Sequence, residues 1–200
     1  MTIDESPTLY GIVLAAGASS RFGSPKQLVR VNGRPLMHTA VSRTVEVTGH
    51  STLVVLGANA ADLAPLLRHS PATIVINREW QDGLASSIRA GVGRLPGTCT
   101  GVMLVLADQA AVTAEDLRRL AGTWKRQPGF IVGAQYGATL GAPAIFPSSC
   151  FRDLSELSGD RGANSLFHRN PDRVVRVPMD SAALDIDTPE DLLRITPDQR

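Results

Sequence analysis

The chain of 200 residues is poor in cysteine, in charge of one sign and in long apolar runs. Its two cysteines, Cys99 and Cys150, stand far apart and form no Cys-x-x-Cys pair, which excludes a disulfide framework and a zinc knuckle. Twenty Lys and Arg against 19 Asp and Glu leave a formal charge of +1. That balance gives no electrostatic footprint for a nucleic acid or an anionic membrane, so neither is expected as a partner. The longest apolar stretches run to roughly ten residues, too short to span a bilayer. The start, MTIDESPTLYG, is acidic and carries no signal-peptide pattern, so the expected location is cytoplasmic. His38, His50, His69 and His168 share no metal-ligand spacing, and no Ser-His-Asp or Cys-His arrangement can be argued.

What the chain does have is alternation. LYGIVLAA (Leu9 to Ala16), STLVVLGA (Ser51 to Ala58), ATIVIN (Ala72 to Asn77) and GVMLVLAD (Gly101 to Asp108) are apolar without polar alternation. The first two read as strands buried on both faces, the third as a further strand and the last as the strongest strand in the chain. Helical patterns lie between them: 35–47, 60–69 (with Pro65 as a distortion), 83–95, and 114–125 capped by Thr113. FIVGAQ and RVVRVP read as further strands, and FRDLSEL and SLFHR as short helices. ATLGAPAIFP mixes strand residues with glycine and proline. In DIDTPEDLLRI, Thr188 suits a helix N-cap and Pro189 the first helical position. The pattern predicts one α/β domain over 1–200, with three layers, a Rossmann-like order and a mostly parallel central sheet.

The chemistry concentrates after the first strand, in AAGASSRFGSPKQL, Ala15 to Leu28. Gly17 and Gly23 open backbone angles closed to other residues. Small neighbours Ala15, Ala16, Ala18, Ser19 and Ser20 leave N–H groups free to converge on phosphate oxygens. Arg21 adds a planar fork and Lys26 a compact charge, which together suit a triphosphate. A Walker A loop would need a lysine next to its last glycine, and a dinucleotide fingerprint would need GxGxxG. Neither spacing is present, so nucleotidyl transfer is favoured over redox chemistry.

Asp108 closes a buried strand, where open α/β sheets bind ligands. Asp185 and Asp187 follow in DIDTPED, and either could meet Asp108 across the sheet.

LAAGASSRFGSPKQL resembles the signature of the nucleotidyltransferase superfamily, and from Leu9 to Ile195 the chain is similar to the molybdenum cofactor cytidylyltransferase group. The resemblance implies a nucleotide-binding half at about 9–110 and an acceptor-binding half at about 111–195. It implies Arg21, Lys26 and Asp108 as catalytic residues, and Mg²⁺ held by Asp108 and Asp187. Nucleotide contacts are expected from Ala15, Ala16, Gly17, Ala18, Ser19, Ser20, Arg21, Lys26, Gly57, Gly83 and Ser86, with Ser87 as a further donor. The implied reaction moves CMP from CTP to molybdopterin cofactor, releasing pyrophosphate and serving a recipient molybdoenzyme.

GAPAIF matches the group's Gly-x-Pro-x-x-Phe, and NREWQDGLASSI its Asn-x-x-Trp-x-x-Gly. Two departures stand out. Ala110 replaces a proline after the strand-end pair, and Asn164 replaces an arginine in GDRGAN, with Arg161 a nearby compensating cation. The second puts the acceptor in doubt. GTP or another NTP, a sugar or alcohol phosphate acceptor, and a non-catalytic cofactor chaperone therefore stay open.

Overall fold

The computed structural model describes residues 7–19, 22–160 and 162–194. Ser20, Arg21 and Arg161 lie outside the described residues. Four apolar runs form the parallel half of a central sheet: β1 (Leu9–Ala15), β4 (Thr52–Leu56), β5 (Thr73–Ile76) and β6 (Gly101–Leu106). A small hairpin, β2 (Arg30–Val31) with β3 (Arg34–Pro35), follows the glycine-bearing loop. The sheet is completed by β7 (Ile131–Tyr136), β8 (Thr139–Pro147) and β9 (Val174–Pro178), in the order β5-β4-β1-β6-β8-β7-β9.

Among the described strands of this seven-stranded sheet, β8 alone runs antiparallel to both of its neighbours. It is the segment whose sequence mixed strand residues with glycine and proline. Its register against β7 jumps from Gly133 facing Ala144 to Ala134 facing Gly141, so Ala142 and Pro143 bulge out of the ladder. A proline with no N–H to donate is tolerated at such a bulge.

The pleat sends alternate β1 residues to opposite faces. Val13 and Ala15 join one core with α1 (Leu36–Thr48), α2 (Ala60–Leu63) and α4 (Ala114–Arg126). Ile12 and Leu14 join the other with α3 (Leu84–Val92), α5 (Phe151–Ser155) and α6 (Asn164–Arg169). The result is the three-layer α/β arrangement that the alternating pattern predicts. Pro65 cuts the second helix short: the α-helix ends at Leu63 and a 3₁₀ turn, Ala64–Leu67, continues it. The tail over Pro189–Arg194 is likewise a 3₁₀ turn. There Asp191 accepts hydrogen bonds from the Asp187 and Thr188 N–H groups and the Thr188 hydroxyl.

Thr113 does cap α4, in a capping box with Asp116. The Asp116 carboxylate also accepts from the Ser181 hydroxyl at 2.8 Å. One side chain thus caps a helix and pins the turn leading to Asp185 and Asp187. No helix among the described residues is long and apolar enough to cross a membrane.

From β1 the chain moves outward to β4 and β5, then returns to place β6 on the other side of β1. The carboxyl ends of β1 and β6 therefore flank the point where strand order reverses, the usual ligand crevice of an open sheet. Close packing holds β6 in place. The buried Trp124 ring lies so near Gly101 that an added Cβ would collide with it. Gly101→Ala is therefore expected to destabilise the fold by about 1–3 kcal/mol through overpacking. Urea denaturation followed by Trp fluorescence checks this.

Candidate active site

Lys26 sits in a 3₁₀ turn, Lys26–Leu28, at the far end of the loop that leaves β1. Its Nζ donates to Asp108 Oδ2 and to Asp187 Oδ1, both at 2.7 Å. Three segments distant in sequence are thereby joined at the carboxyl edge of the sheet. Backbone contacts hold them there: Ile186 N–H donates to the Asp108 carbonyl at 3.1 Å, and Gln109 and Asp185 form an isolated bridge. The Gln109 amide donates to the carbonyls of Ala142 at 2.9 Å and Ala182 at 3.0 Å, so the β8 bulge supports the same corner. From α1, Arg43 donates to the carbonyls of Ala110 and Val112 and steadies the turn after Asp108.

Burial pulls the Lys26 pKa down, but Asp108 and Asp187 more than offset it and hold the ammonium above the usual lysine value. Asp185 responds the other way. Burial first, then the charges of Asp108 and Asp187, push its carboxyl up to about 6.

Beside this cluster lies a cavity of about 460 Å³, whose walls include Ala15, Ala16, Gly17, Ala18, Lys26, Gly83, Ser87 and Asp108. A smaller cavity of about 290 Å³ shares Leu14, Leu84, Leu106 and Asp160 with it and adds Tyr136, Asn164 and Asp185. A more open groove of about 1070 Å³ along the edge strand β5 contains none of the loop residues or clustered carboxylates.

The remaining expected site residues divide. Gly83, with φ +86°, lines the larger cavity, and a Cβ there would strike Asp160 Oδ1 and sit 2.7 Å from the Gly159 carbonyl. Gly57 is a packing glycine: a Cβ would lie 2.6 Å from both the Ala16 oxygen and Trp80 Cβ, and it does not line the cavity. Ser86 is buried, donating to the Gly83 carbonyl and accepting from Asn77, and it faces the edge groove. Its neighbour Ser87 lines the cavity instead. Ser19, with φ +58°, donates its hydroxyl to Gln27 at 3.0 Å.

Sequence reasoning missed Gln27 and Asp160, and it left Asp185 as an alternative to Asp187. Gln27 is buried under the loop, Asp160 lies between the two cavities, and Asp185 faces the smaller one. For the two missed residues the only signals were adjacency: Gln27 beside Lys26 and Asp160 within the GDRG segment.

The donor set suits a hard divalent cation. Mg²⁺ usually takes one or two carboxylates and completes its shell with water and substrate phosphates. Asp108 offers a second carboxylate oxygen, Oδ1, that is buried without a hydrogen-bond partner. Among the described residues, no group of three or more His, Cys, Asp or Glu is arranged to hold a metal unaided. The residues therefore fit an ion that arrives with phosphates.

Residues 11–177 match the MobA-like NTP transferase domain. A relative named nicotine blue oxidoreductase, from Paenarthrobacter nicotinovorans, is 30% identical, over 94% of this chain and 97% of its own. The purine catabolism protein PucB of Bacillus subtilis is also 30% identical, over 93% and 95% of the two chains. Among solved structures, Rv0371c from Mycobacterium tuberculosis superposes with a TM-score of 0.83 at 27% identity, covering 94% of this chain and 97% of that one. The same protein has been solved as a complex with manganese, with a TM-score of 0.74.

The ion pairs give a direct test of the cluster. Removing one partner of a buried pair costs about 3–5 kcal/mol, and the partial exposure of Asp187 lowers the expectation for Lys26→Met to about 1–3 kcal/mol. A raised lysine pKa stabilises the fold fully below the unfolded value of 10.5 and is lost only as pH climbs past the folded value. The difference between wild type and Lys26→Met should therefore persist unchanged from pH 7 to pH 9 in urea titrations. A difference that vanishes by pH 8 would contradict the pairing.

Proposed function

The chain belongs to the MobA-like NTP transferase family and is a nucleotidyltransferase, and from that premise we propose that it transfers CMP from CTP to a molybdopterin-type acceptor and releases pyrophosphate. The observation that carries the reading is the Lys26 ammonium, bound to Asp108 and Asp187 beside a glycine-bearing loop and a cavity of nucleotide size. Residues 9–110 would bind the nucleotide and 111–195 the acceptor. The matches at GAPAIF and GDRGA support a molybdopterin-type acceptor.

In this reading the loop N–H groups and Lys26 grip the triphosphate, and Arg21 adds a second cation. Asp108 and Asp187 would hold Mg²⁺, a choice supported by the manganese complex of Rv0371c. The ion, when bound, would neutralise phosphate charge and polarise the α-phosphate. The acceptor's terminal phosphate, already anionic near neutral pH, attacks in line and needs no dedicated base. The chain contributes positioning and electrostatic stabilisation. The smaller cavity, whose walls include Asn164 and Asp185, would take the acceptor.

A second reading, redox chemistry, is favoured by one observation: the name of the Paenarthrobacter nicotinovorans relative. One assay separates the two. Wild type with CTP, Mg²⁺ and molybdenum cofactor should release pyrophosphate, and Asp108→Asn should reduce kcat on the order of 100-fold or more. Use of GTP in place of CTP, or of a sugar phosphate as acceptor, would keep the chemistry and change the substrates. Consumption of NADH or NADPH with no pyrophosphate from any NTP would transfer support to the redox reading.

A further inference from the structure

Gln27 is a polar side chain with 3% of its surface exposed, at the centre of the loop that it follows. Its amide nitrogen donates to the carbonyls of Gly17 at 2.7 Å and Ala15 at 3.3 Å. Its amide oxygen accepts from the Ser19 hydroxyl at 3.0 Å. The three bonds fix which way round the amide sits: a flipped amide would set its oxygen against two carbonyl oxygens.

A loop can aim N–H groups at a ligand only if its carbonyls face elsewhere and find donors there. In a trans peptide the C=O and the following N–H lie on opposite edges of one plane. The bond from Gln27 to the Gly17 carbonyl therefore turns the Ala18 N–H to the opposite side. Gly17 and Ala18 are both exposed and both line the larger cavity. Lys26 and Gln27 belong to the same 3₁₀ turn, so the residue that reaches the carboxylates and the residue beneath the loop are neighbours on one short element.

We infer that Gln27 is a positioning residue for phosphate: its buried amide orients the Gly17–Ala18 peptide so that the Ala18 N–H is presented to a bound pyrophosphate group. Ser19 assists by locking the amide. The inference deepens the reading of the loop as a phosphate cradle but does not depend on the base or the acceptor.

Inorganic pyrophosphate with Mg²⁺ is the probe, titrated calorimetrically into the full chain and followed by the Ala18 amide resonance in a ¹H–¹⁵N spectrum. Wild type should bind it and shift the Ala18 resonance. Gln27→Met, similar in volume but without the three hydrogen bonds, should bind at least tenfold more weakly and lose the Ala18 shift while retaining a cooperative thermal transition. In turnover it should raise the nucleotide KM by a similar factor and leave kcat within threefold. Ser19→Ala, which removes one bond, should lose a few-fold in affinity, and it carries the test if Gln27→Met does not fold. Pyrophosphate affinity within twofold of wild type in the folded Gln27→Met, an unaltered Ala18 shift, or no loss in Ser19→Ala when that variant carries the test would overturn the inference. So would a wild type that does not bind pyrophosphate. If the pyrophosphate pattern holds while CTP and molybdenum cofactor yield no product, the proposed reaction fails and the role of Gln27 stands.

Discussion

Asp108 and Asp187 share one ammonium ion, the Lys26 Nζ, which stands between them. Two carboxylates at the mouth of a crevice repel, and burial makes each charge costlier to hold. Lys26 satisfies both at 2.7 Å and so closes a ring made from the β1 loop, the end of β6 and the segment before the C-terminal turn. Charge is crowded beside the cluster too: burial, then the charges of Asp108 and Asp187, push the Asp185 carboxyl up to about 6. A site that balances charge this tightly is suited to polyanionic ligands, which bring both a partner for the lysine and a reason for a metal ion.

The rest of the corner serves that balance. Gln109 bridges the β8 bulge and the 180–183 turn, Arg43 binds the turn after Asp108, and Asp116 caps α4 while holding Ser181. Each connection ties a side chain of one element to the backbone or hydroxyl of a neighbouring segment. Function is thus positioned by backbone carbonyls gripped from the side, and the sheet supplies the fixed points.

Much of this was legible in the sequence. Strands buried on both faces, β1, β4 and β6, read as unbroken apolar runs; β5 has the same pattern but lies at the sheet edge and leaves Ile76 52% exposed. The loop after β1 and the aspartate after β6 were marked by their place at strand ends. Other features left no pattern. Antiparallel β8 was obscured because Ala142 and Pro143 belong to a bulge, where strand periodicity breaks. Ser86 and Ser87 differ by one helical step, and the phase that puts Ser87 in the cavity depends on Gly83 ending the preceding turn. The choice between Asp185 and Asp187 was open because both flank Ile186, whose N–H is bound to the Asp108 carbonyl, and only Asp187 reaches Lys26. Gln27 was hidden for a different reason: a side chain bonding backbone carbonyls ten or more residues away obeys no spacing rule.

The arrangement we propose is a triphosphate held by the loop with its cation on Asp108 and Asp187. A crystal structure with Mg²⁺ and a non-hydrolysable CTP analogue tests it most directly. Phosphates against Gly17, Ala18 and Lys26, with the metal ligated by Asp108 and Asp187, is the expected result. A nucleotide seated in the β5 edge groove, or phosphates bound with Lys26 and both carboxylates left untouched, would contradict it.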